Sequence, residues 1–469
     1  MKKIDLNNLF NIRKPDFGND EIFDVAVVGA GVVGCAIFKE FSENGAKTIL
    51  IEKENDILEG ASKGNSAILH TGFDAPPESL ELECIKRGYE EYFKIKDELN
   101  LPLLNTKALV IAWTDDQIEK LDGILKKGLN NGISELELLS SDQIFQREPN
   151  LSRNAKGAIL VHGESLIDPW SAPLAYVKLG VKYGGKLAFS NEVKSGDFNG
   201  DYWELVTSQT KIKAKLVINA AGLYGDLVEK IKGEPNFYIK PRKGQFIIYD
   251  ETSYNLINSI ILPVPTKITK GVVITRTAFG NILVGPTAED QDSRTDSSNV
   301  KETLNDLQNK AFEMLPPLKS HRVVATFAGL RPSSHPKTYN VYKDKEKNWI
   351  TVGGIRSTGL TSCLGLAKYV FELNETEYEK KNMEKPTVKV QNISEFAKRD
   401  FLTEGYGKII CHCECVTQRE IENALEGDVP AGTISGLKRR TRATMGRCQG
   451  FNCLAAISEI CENKRLKND

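Results

Sequence analysis

The chain has 469 residues, 40% of them hydrophobic and 27% charged, a composition typical of globular proteins with more than one domain. The formal net charge of −1 gives no global electric field that would attract nucleic acid, which argues against nucleic-acid binding. The sequence contains no signal peptide and no stretch of about 20 apolar residues, which predicts a cytoplasmic protein without a transmembrane segment.

The predicted elements change in character several times along the chain. Residues 23–53 predict a strand, a glycine-rich turn, a helix and a second strand in quick succession. Mostly helical structure is predicted from about Tyr89 to Asn150, and short β-rich runs dominate from 186 to 290. The sequence thus predicts an N-terminal extension (1–22), a long α/β region (23–373), a charged linker (374–395) and a cysteine-rich domain (396–469).

A glycine motif follows the first predicted strand. The apolar run Val25–Val28 leads into Gly29, Gly31 and Gly34, which form the pattern G-x-G-x-x-G. The glycines allow a tight turn, close approach to a pyrophosphate and close packing of helix on strand, while the helix N-terminus directs N–H groups at the phosphates. The second strand ends at Glu52, where a carboxylate can accept hydrogen bonds from ribose hydroxyls. This order predicts a dinucleotide site in a Rossmann-type fold.

Four further segments resemble the FAD-dependent amino-acid and hydroxy-acid oxidoreductase superfamily, which includes glycine oxidase and glycerol-3-phosphate dehydrogenase. They are GASKGNSAILHTGF (60–73), LVINAAGLYGD (216–226), FAGLRP (327–332) and GGIRSTGLTSCLGLAKYV (353–370). The resemblance implies FAD as cofactor, and an α/β fold in which a Rossmann-type FAD-binding domain is interleaved with a β-rich substrate domain. It implies FAD contacts at Gly29, Gly31, Gly34, Glu52, Ser62, Asn65, Ser66, Ala220, Gly222, Gly354, Thr358, Gly359 and Leu360.

The reacting site of such a dehydrogenase needs a base and a fixed cation. The base takes the proton of a hydroxyl or amine group, and the cation holds the carboxylate or phosphate of the substrate. The resemblance places Arg331 at the substrate anion, where a guanidinium can bind a planar oxyanion through two hydrogen bonds. It places His70 at the substrate face of the flavin as the candidate base. A structural salt bridge for Arg331 and a core position for His70 are the alternatives.

The C-terminal region concentrates six of the nine cysteines. Cys411 and Cys413 form a C-x-C pair, and Cys448 and Cys453 form a C-x4-C pair; two thiolate pairs suit either tetrahedral zinc or an iron–sulfur cluster. IICHCECVTQREIENAL and GLKRRTRATMGRCQGFNC resemble the bacterioferritin-associated-ferredoxin-like domain in the version fused to anaerobic glycerol-3-phosphate dehydrogenases. The resemblance implies that these four cysteines ligate a [2Fe-2S] cluster in a small helical domain.

Four arginines near the second cysteine pair have two interpretations. They either offset the negative charge of the cluster or form a solvated basic face. The four are Arg439, Arg440, Arg442 and Arg447.

The expected function is therefore that of an FAD-dependent dehydrogenase. A small anionic hydroxy substrate, similar to glycerol 3-phosphate, transfers hydride to flavin, and electrons leave through the cluster to an acceptor protein or quinone. The run NSAILHTGFDAPPESLE (65–81) instead resembles L-2-hydroxyglutarate dehydrogenases, so a 2-hydroxy acid or an amino acid is the alternative substrate. An electron-relay subunit and a zinc-bearing interaction module are alternatives of another class. Peripheral membrane contact and assembly with other chains stay open.

Overall fold

The computed structural model describes residues 9–10, 16–18, 20–265, 271–380 and 384–468. The helices are α1 (Val32–Glu43), α2 (Leu80–Ile95), α3 (Asp115–Asn130), α4 (Ser141–Arg147), α5 (Ser171–Lys182), α6 (Gly225–Glu229), α7 (Lys301–Met314), α8 (Gly359–Asn374), α9 (Gln418–Ala424), α10 (Ile434–Thr441) and α11 (Leu454–Asn468). Among them, none is long and apolar enough to cross a lipid bilayer.

The strands fall into two large sheets and three small ones. They are β1 (Ile22–Val28), β2 (Thr48–Ile51), β3 (Ile68–Leu69), β4 (Leu103–Leu104), β5 (Ala108–Ala112), β6 (Leu136–Ser140), β7 (Gly157–Val161), β8 (Ser165–Ile167), β9 (Lys186–Ala188), β10 (Val193–Phe198), β11 (Trp203–Thr207), β12 (Lys211–Asn219), β13 (Tyr238–Ile239), β14 (Arg242–Tyr249), β15 (Ile260–Pro263), β16 (Val273–Arg276), β17 (Ile282–Gly285), β18 (Glu289–Asp290), β19 (Val323–Arg331), β20 (Ser334–His335), β21 (Asn340–Asp344), β22 (Trp349–Gly353), β23 (Ile409–Cys411) and β24 (Val416–Thr417).

The first large sheet is the predicted Rossmann-type unit. Strand β1 pairs in parallel with β2 and β12, and β12 pairs in parallel with β22. Val25 and Val27 point to the side covered by α1, α5 and α8, whereas Ala26 belongs to the core on the opposite face. Both faces of β1 are therefore buried, which explains the continuous apolar run in its sequence. The α/β fold class is confirmed.

The second large sheet has nine strands and is mostly antiparallel. Its strands run in the order β18-β14-β17-β16-β15-β5-β7-β6, and β19 pairs with β14. Strands β4, β5 and β6 interrupt the region from 89 to 150, so the prediction of mostly helical structure there is only partly right. The β-rich prediction for 186–290 is confirmed by strands β9 to β18. This sheet corresponds to the β-rich domain that the sequence predicts.

The cysteine-rich domain has its own small core beneath the β23–β24 hairpin and three helices. Ile421, Leu437 and Ile457 are buried there together with the ligand candidates Cys411 and Cys453. Leu9, from the predicted N-terminal extension, is buried in the same core. Residues 1–8, 11–15 and 19 of that extension lie outside the described residues. The domain boundaries stay predictions.

Two ion pairs join the cysteine-rich domain to the loop that follows β2. Arg440 donates two hydrogen bonds to the carboxylate of Asp56 at 2.7 and 2.8 Å, and both side chains are buried. Arg439 donates to Glu59 at 2.8 Å. A Cβ atom on Gly436 would lie 1.7 Å from the Asp56 carboxylate, so the helix approaches the loop more closely than any other residue would permit.

The other two arginines also contact carboxylates. Arg447 donates to Asp250 at the end of β14, and Arg442 pairs with Glu395 at 2.8 Å. The interpretation as a solvated basic face is wrong, because Arg439, Arg440 and Arg442 are buried; the offset of the cluster charge stays a prediction. Their main contacts hold the cysteine-rich domain against the rest of the molecule, through Arg439, Arg440, Arg442 and Arg447.

The predicted linker also lies against the body of the protein. Val388 and Val390 are buried in the core beside α1 and α8, and Ile393 is buried beside Phe279. The backbone N–H of Val390 donates to the carbonyl of Leu99 at 3.2 Å. This segment therefore contributes to the fixed placement of the C-terminal domain.

Loss of the buried Asp56–Arg440 pair should cost far more stability than loss of an exposed pair across the same interface. Asp56→Ala leaves a buried guanidinium unpaired, and we expect a loss of about 3–5 kcal/mol in unfolding free energy. Lys182, which pairs with Asp428 at 2.9 Å on the surface, is the matched control, and Lys182→Ala should cost at most about 1 kcal/mol. Urea unfolding of both variants measures the difference, and equal losses would contradict the assignment.

The Asp56 pair also predicts a direction of pH dependence. Burial opposes ionisation of Asp56, but Arg440 and Arg439 outweigh it and lower the pKa of this carboxyl. Its contribution to stability is therefore present above the unfolded pKa of about 3.9 and is lost as the pH falls below it. The unfolding free energy of Asp56→Ala, measured by urea unfolding at several pH values, should therefore decrease less than that of the unmodified protein as the pH falls below this value.

Candidate functional site

One cavity of about 970 Å³ is lined both by residues predicted to bind FAD and by residues predicted to act on the substrate. It opens between the carboxyl ends of β1, β2 and β12 and the second large sheet, and it is lined by His70 and Arg331. All predicted FAD contacts except Gly34 and Gly354 line the same cavity. A single space thus joins the dinucleotide motif to the two candidate reacting residues.

The two exceptions have packing roles. A Cβ atom on Gly34 would lie 1.8 Å from the carbonyl oxygen of Gly29, so this glycine lets α1 pack on the turn. Gly354 has φ +73°, and a Cβ atom there would lie 2.3 Å from the hydroxyl of Ser334. Both positions require glycine because of these close contacts, although neither residue lines the cavity itself.

The turn between β1 and α1 is built for close approach. Gly29 has φ +106°, and a Cβ atom there would lie 2.7 Å from the carbonyl oxygen of Ala220. Gly31 is the N-cap of α1, and the hydroxyl of Ser62 accepts a hydrogen bond from the N–H of Val32 at 3.0 Å. The motif therefore presents the positive end of α1 to the cavity, where a pyrophosphate would bind.

Glu52 lies at the end of β2 with its carboxylate held by backbone groups. One oxygen accepts from the N–H of Ala30 at 2.7 Å, and the other accepts from the N–H of Glu54 at 3.0 Å. Part of the side chain faces the cavity, but the carboxylate is deep in the molecule, and burial raises its pKa to about 7. Ribose hydroxyls that donate to this carboxylate would favour its charged form.

His70 is paired with a glutamate that the sequence reasoning missed. The register of β3 and β8 places Leu69 opposite Ser165, so the residues that flank the two strands, His70 and Glu164, meet at the cavity wall. His70 Nδ1 lies 2.9 Å from Glu164 Oε2, and Glu164 is fully buried. The other carboxylate oxygen accepts from the N–H and the hydroxyl of Thr71 at 2.7 and 3.0 Å. The carboxylate therefore fixes the orientation of the imidazole.

Arg331 is held by carbonyl groups at the end of β19. Its Nη2 donates to the carbonyl oxygen of Thr287 at 2.6 Å and to that of Lys243 at 3.3 Å. Burial and the nearby Arg242 lower the pKa of the guanidinium to about 10. Within the described ranges no carboxylate forms an ion pair with Arg331, which disfavours the salt-bridge alternative. A partly buried cation in a cavity wall is an attractive site for an anion.

Two further cations line the cavity near this position. Arg242 lies opposite Arg331 in the β14–β19 pairing, and Arg356 lies 3.6 Å from the carboxylate of Glu81. Arg276, at the end of β16, donates instead to the carbonyl of Tyr254 and does not line the cavity.

The four cysteines predicted as ligands come together at one end of the C-terminal domain. The thiol of Cys453 lies within hydrogen-bonding reach of Cys411, and that of Cys413 within reach of Cys448. Burial, together with the neighbouring Cys411 thiol, raises the pKa of Cys453 to about 12. A Cβ atom on Gly446 would lie 2.3 Å from the Cβ of Cys413, so glycine allows the two cysteine turns to meet.

Backbone amides prepare this site for thiolate ligands. The N–H of Asn452, at the far end of the C-x4-C loop, lowers the pKa of the Cys448 thiol. Among the described residues, no three potential ligands converge on a single metal ion, and the thiols form two adjacent pairs. Two pairs of cysteines and N–H groups directed at sulfur fit a [2Fe-2S] cluster, in which four cysteines hold two irons. Cys461 is buried in the core, as a small apolar residue would be.

Comparison with known proteins assigns the chain to a family. Residues 24–373 match the family described as FAD dependent oxidoreductase, and residues 409–463 match the BFD-like [2Fe-2S] binding domain. The chain belongs to the FAD dependent oxidoreductase family. It is a flavoenzyme with a C-terminal [2Fe-2S] domain, as the sequence predicts.

Individual relatives extend the match across the chain. It is 35% identical over 449 residues to the glycerol 3-phosphate dehydrogenase of Caloramator mitchellensis, covering 94% of both chains. The glycerol 3-phosphate oxidase of Mycoplasma genitalium is 30% identical and covers 77% of this chain and 97% of its own. The FAD-bound L-alpha-glycerophosphate oxidase structure from Mycoplasma pneumoniae has a TM-score of 0.75 at 24% identity, covering 79% and 99% of the two chains, and confirms the fold.

The Glu52 carboxylate predicts a pH-dependent affinity for FAD. Because burial raises its pKa to about 7 in the free protein, FAD binding that requires the charged form should weaken as the pH falls through that value. Glu52→Gln should weaken binding about tenfold at alkaline pH and abolish this pH dependence. Titration of the apoprotein with FAD, followed by flavin fluorescence, measures both effects. Glu204→Gln, at a carboxylate that pairs with Lys211 outside the cavity, is the control and should change neither.

Proposed function

We propose that this enzyme oxidises the secondary hydroxyl of glycerol 3-phosphate and releases the electrons through its [2Fe-2S] cluster. The observation that carries the proposal is that a histidine paired with Glu164 and the guanidinium of Arg331, held by backbone carbonyls, open into the cavity of the dinucleotide motif. The relative from Caloramator mitchellensis, which matches 94% of this chain, supports the choice of substrate.

Arg331 is proposed to bind the substrate anion. The carbonyls of Thr287 and Lys243 fix the guanidinium in one orientation, so its remaining N–H groups can donate to a phosphate. Arg242 and Arg356 also line the cavity, and each lies 3.6 Å from a carboxylate, that of Asp290 and that of Glu81 respectively. The choice of a phosphate over a carboxylate substrate therefore rests on the match to the glycerol 3-phosphate dehydrogenase of Caloramator mitchellensis.

His70 is proposed to take the proton of the substrate hydroxyl. When Nδ1–H donates to Glu164, the basic nitrogen of the ring is Nε2, and the histidine lines the cavity. The positive charge formed on the ring is then stabilised by the buried carboxylate. FAD, when bound, accepts the hydrogen and the two electrons that leave the substrate carbon, and the cluster passes the electrons on singly.

The electrons are proposed to leave at the exposed side of the cluster site. Cys413 is exposed and Cys448 is partly exposed, whereas Cys411 and Cys453 are buried. An acceptor protein or quinone can therefore approach the site from the side of Cys413. All nine cysteines are unpaired thiols, which supports a reducing, cytoplasmic location.

A substrate panel tests the proposal directly. Oxidised enzyme is mixed without oxygen with glycerol 3-phosphate, L-2-hydroxyglutarate, glycine or L-proline, and flavin and cluster absorbance are recorded. We expect glycerol 3-phosphate to bleach the flavin first and the cluster afterwards. Bleaching by a 2-hydroxy acid or amino acid alone would replace the proposed substrate, and purified protein with zinc in place of iron would remove the proposed electron exit.

Removal of the Arg331 charge should weaken substrate binding. Arg331→Gln loses charge-assisted hydrogen bonds worth about 1.5–3 kcal/mol, and we expect KM for glycerol 3-phosphate to rise about 10- to 100-fold. Arg276→Gln is the matched control, because Arg276 contacts Tyr254 and Asn258 outside the cavity. Steady-state kinetics with an artificial electron acceptor measure both variants. An unchanged KM in Arg331→Gln would remove this residue from the substrate site.

Substitution of Glu164 should reverse the proton position on His70. In Glu164→Gln, Thr71 still donates to the amide oxygen, so the amide NH2 group faces His70 Nδ1. The ring proton then moves to Nε2, and we expect kcat to fall about 10²- to 10⁴-fold with little change in KM. Glu137→Gln is the control, because its carboxylate lies 3.5 Å from His162 in an exposed pair. Similar losses in both variants would reject the role of Glu164.

A further inference from the structure

A continuous line of contacts connects the wall of the FAD cavity to the cysteine turn. The indole N–H of Trp170 donates to the carbonyl of Lys63 at 3.2 Å, and Lys63 lines the cavity. The ring of Trp170 lies parallel to that of Phe279, with centroids 5.0 Å apart and an interplanar angle of 11°. The two rings lie in an apolar cluster shared with Met445, three residues before Cys448.

Arg442 completes this line on the side of the cluster. Its Nη2 donates to the carbonyl of Phe279 at 3.1 Å and pairs with the carboxylate of Glu414 at 2.5 Å. Glu414 lies between Cys413 and Cys415 in the first cysteine turn. The guanidinium carbon of Arg442 is also 5.6 Å from the centre of the Phe279 ring. One side chain therefore contacts both the aromatic stack and the turn that contains the predicted metal ligand Cys413.

The backbone of Arg442 is unusual for a residue with a side chain. It ends α10 in the left-handed region, with φ +71°, where glycine is the common residue. A residue with a Cβ atom is strained in that conformation. The side chain is 4% exposed and spans three segments of the chain, so its contacts offset that strain.

The other arginines at this interface do not make this connection. Arg439 pairs with Glu59, which lines the cavity, and Arg440 pairs with Asp56, but these pairs do not involve either cysteine turn. Arg447 is next to Cys448 but pairs with Asp250, the residue after β14. Asp250 does not line the cavity.

We propose that Arg442 is a positioning residue for electron transfer, which holds the first cysteine turn against the Trp170–Phe279 stack and so sets the coupling between the two redox sites. The inference rests on the proposed exit of electrons through the cluster, but not on the identity of the substrate. Each transfer oxidises reduced FAD by one electron and reduces the cluster by one electron. Two transfers, each followed by cluster reoxidation by an external one-electron acceptor, return FAD to its oxidised form and release its protons to solvent.

The test reduces FAD by light, so it needs no substrate. A flash of light with a photosensitiser and a sacrificial donor reduces FAD in the holoenzyme, and cluster absorbance reports the transfer that follows. Arg442→Gln should slow cluster reduction about tenfold or more, because a step between fixed partners is sensitive to small displacements. Phe279→Leu, which removes the stack but keeps its volume nearly constant, should slow it in the same direction. Arg447→Gln is the matched control and should change it less than about twofold.

Two measurements separate positioning from a loss of structure. Iron and FAD contents, with the electron paramagnetic resonance spectrum and midpoint potential of the cluster, should stay close to those of the unmodified protein. Arg442→Lys, which retains the charge, should recover part of the rate. Unchanged rates in Arg442→Gln and Phe279→Leu, or an equal loss in Arg447→Gln, would overturn the proposal. If Arg442→Gln does not retain its cluster, the rate of cluster reduction in Phe279→Leu alone tests the proposal, and an unchanged rate there overturns it.

Discussion

The buried ion pair between Asp56 and Arg440 is the interaction on which the arrangement of both redox sites depends. Asp56 belongs to the loop after β2, and the same loop holds Glu52 against the backbone of Ala30. Further along, Ser62 caps the N–H of Val32 at the start of α1. A displacement of the C-terminal domain would therefore be transmitted to groups that are predicted to bind the dinucleotide. The flavin site and the cluster site share one short segment of chain as their common support.

The parts of the molecule that sequence predicts well are those whose chemistry is contained in a few consecutive residues. The turn at Gly29 follows from its own spacing, and the ligand candidates Cys411 and Cys453 follow from two short pairs. Arg331 and His70 were placed by resemblance, and both line the cavity, although their roles stay predictions. Local patterns of this kind can be recognised in the sequence without knowing which distant segments they contact.

The features that escaped prediction depend on contacts between distant residues. Glu164 meets His70 only because β3 pairs with β8, and a lone glutamate before a short apolar run carries no signal of that pairing. The arginines could be identified as charges but not assigned partners, since Arg440 is 384 positions from Asp56. Strand β5 has the sequence ALVIA, which is equally compatible with a buried helix, so its structure was decided by the sheet around it.

Burial of Leu9 in the core of the cysteine-rich domain has a consequence for how the protein is made. Leu9 is synthesised well before the cysteine-rich domain whose core covers it. Its apolar side chain therefore stays exposed until that domain has been translated and has folded.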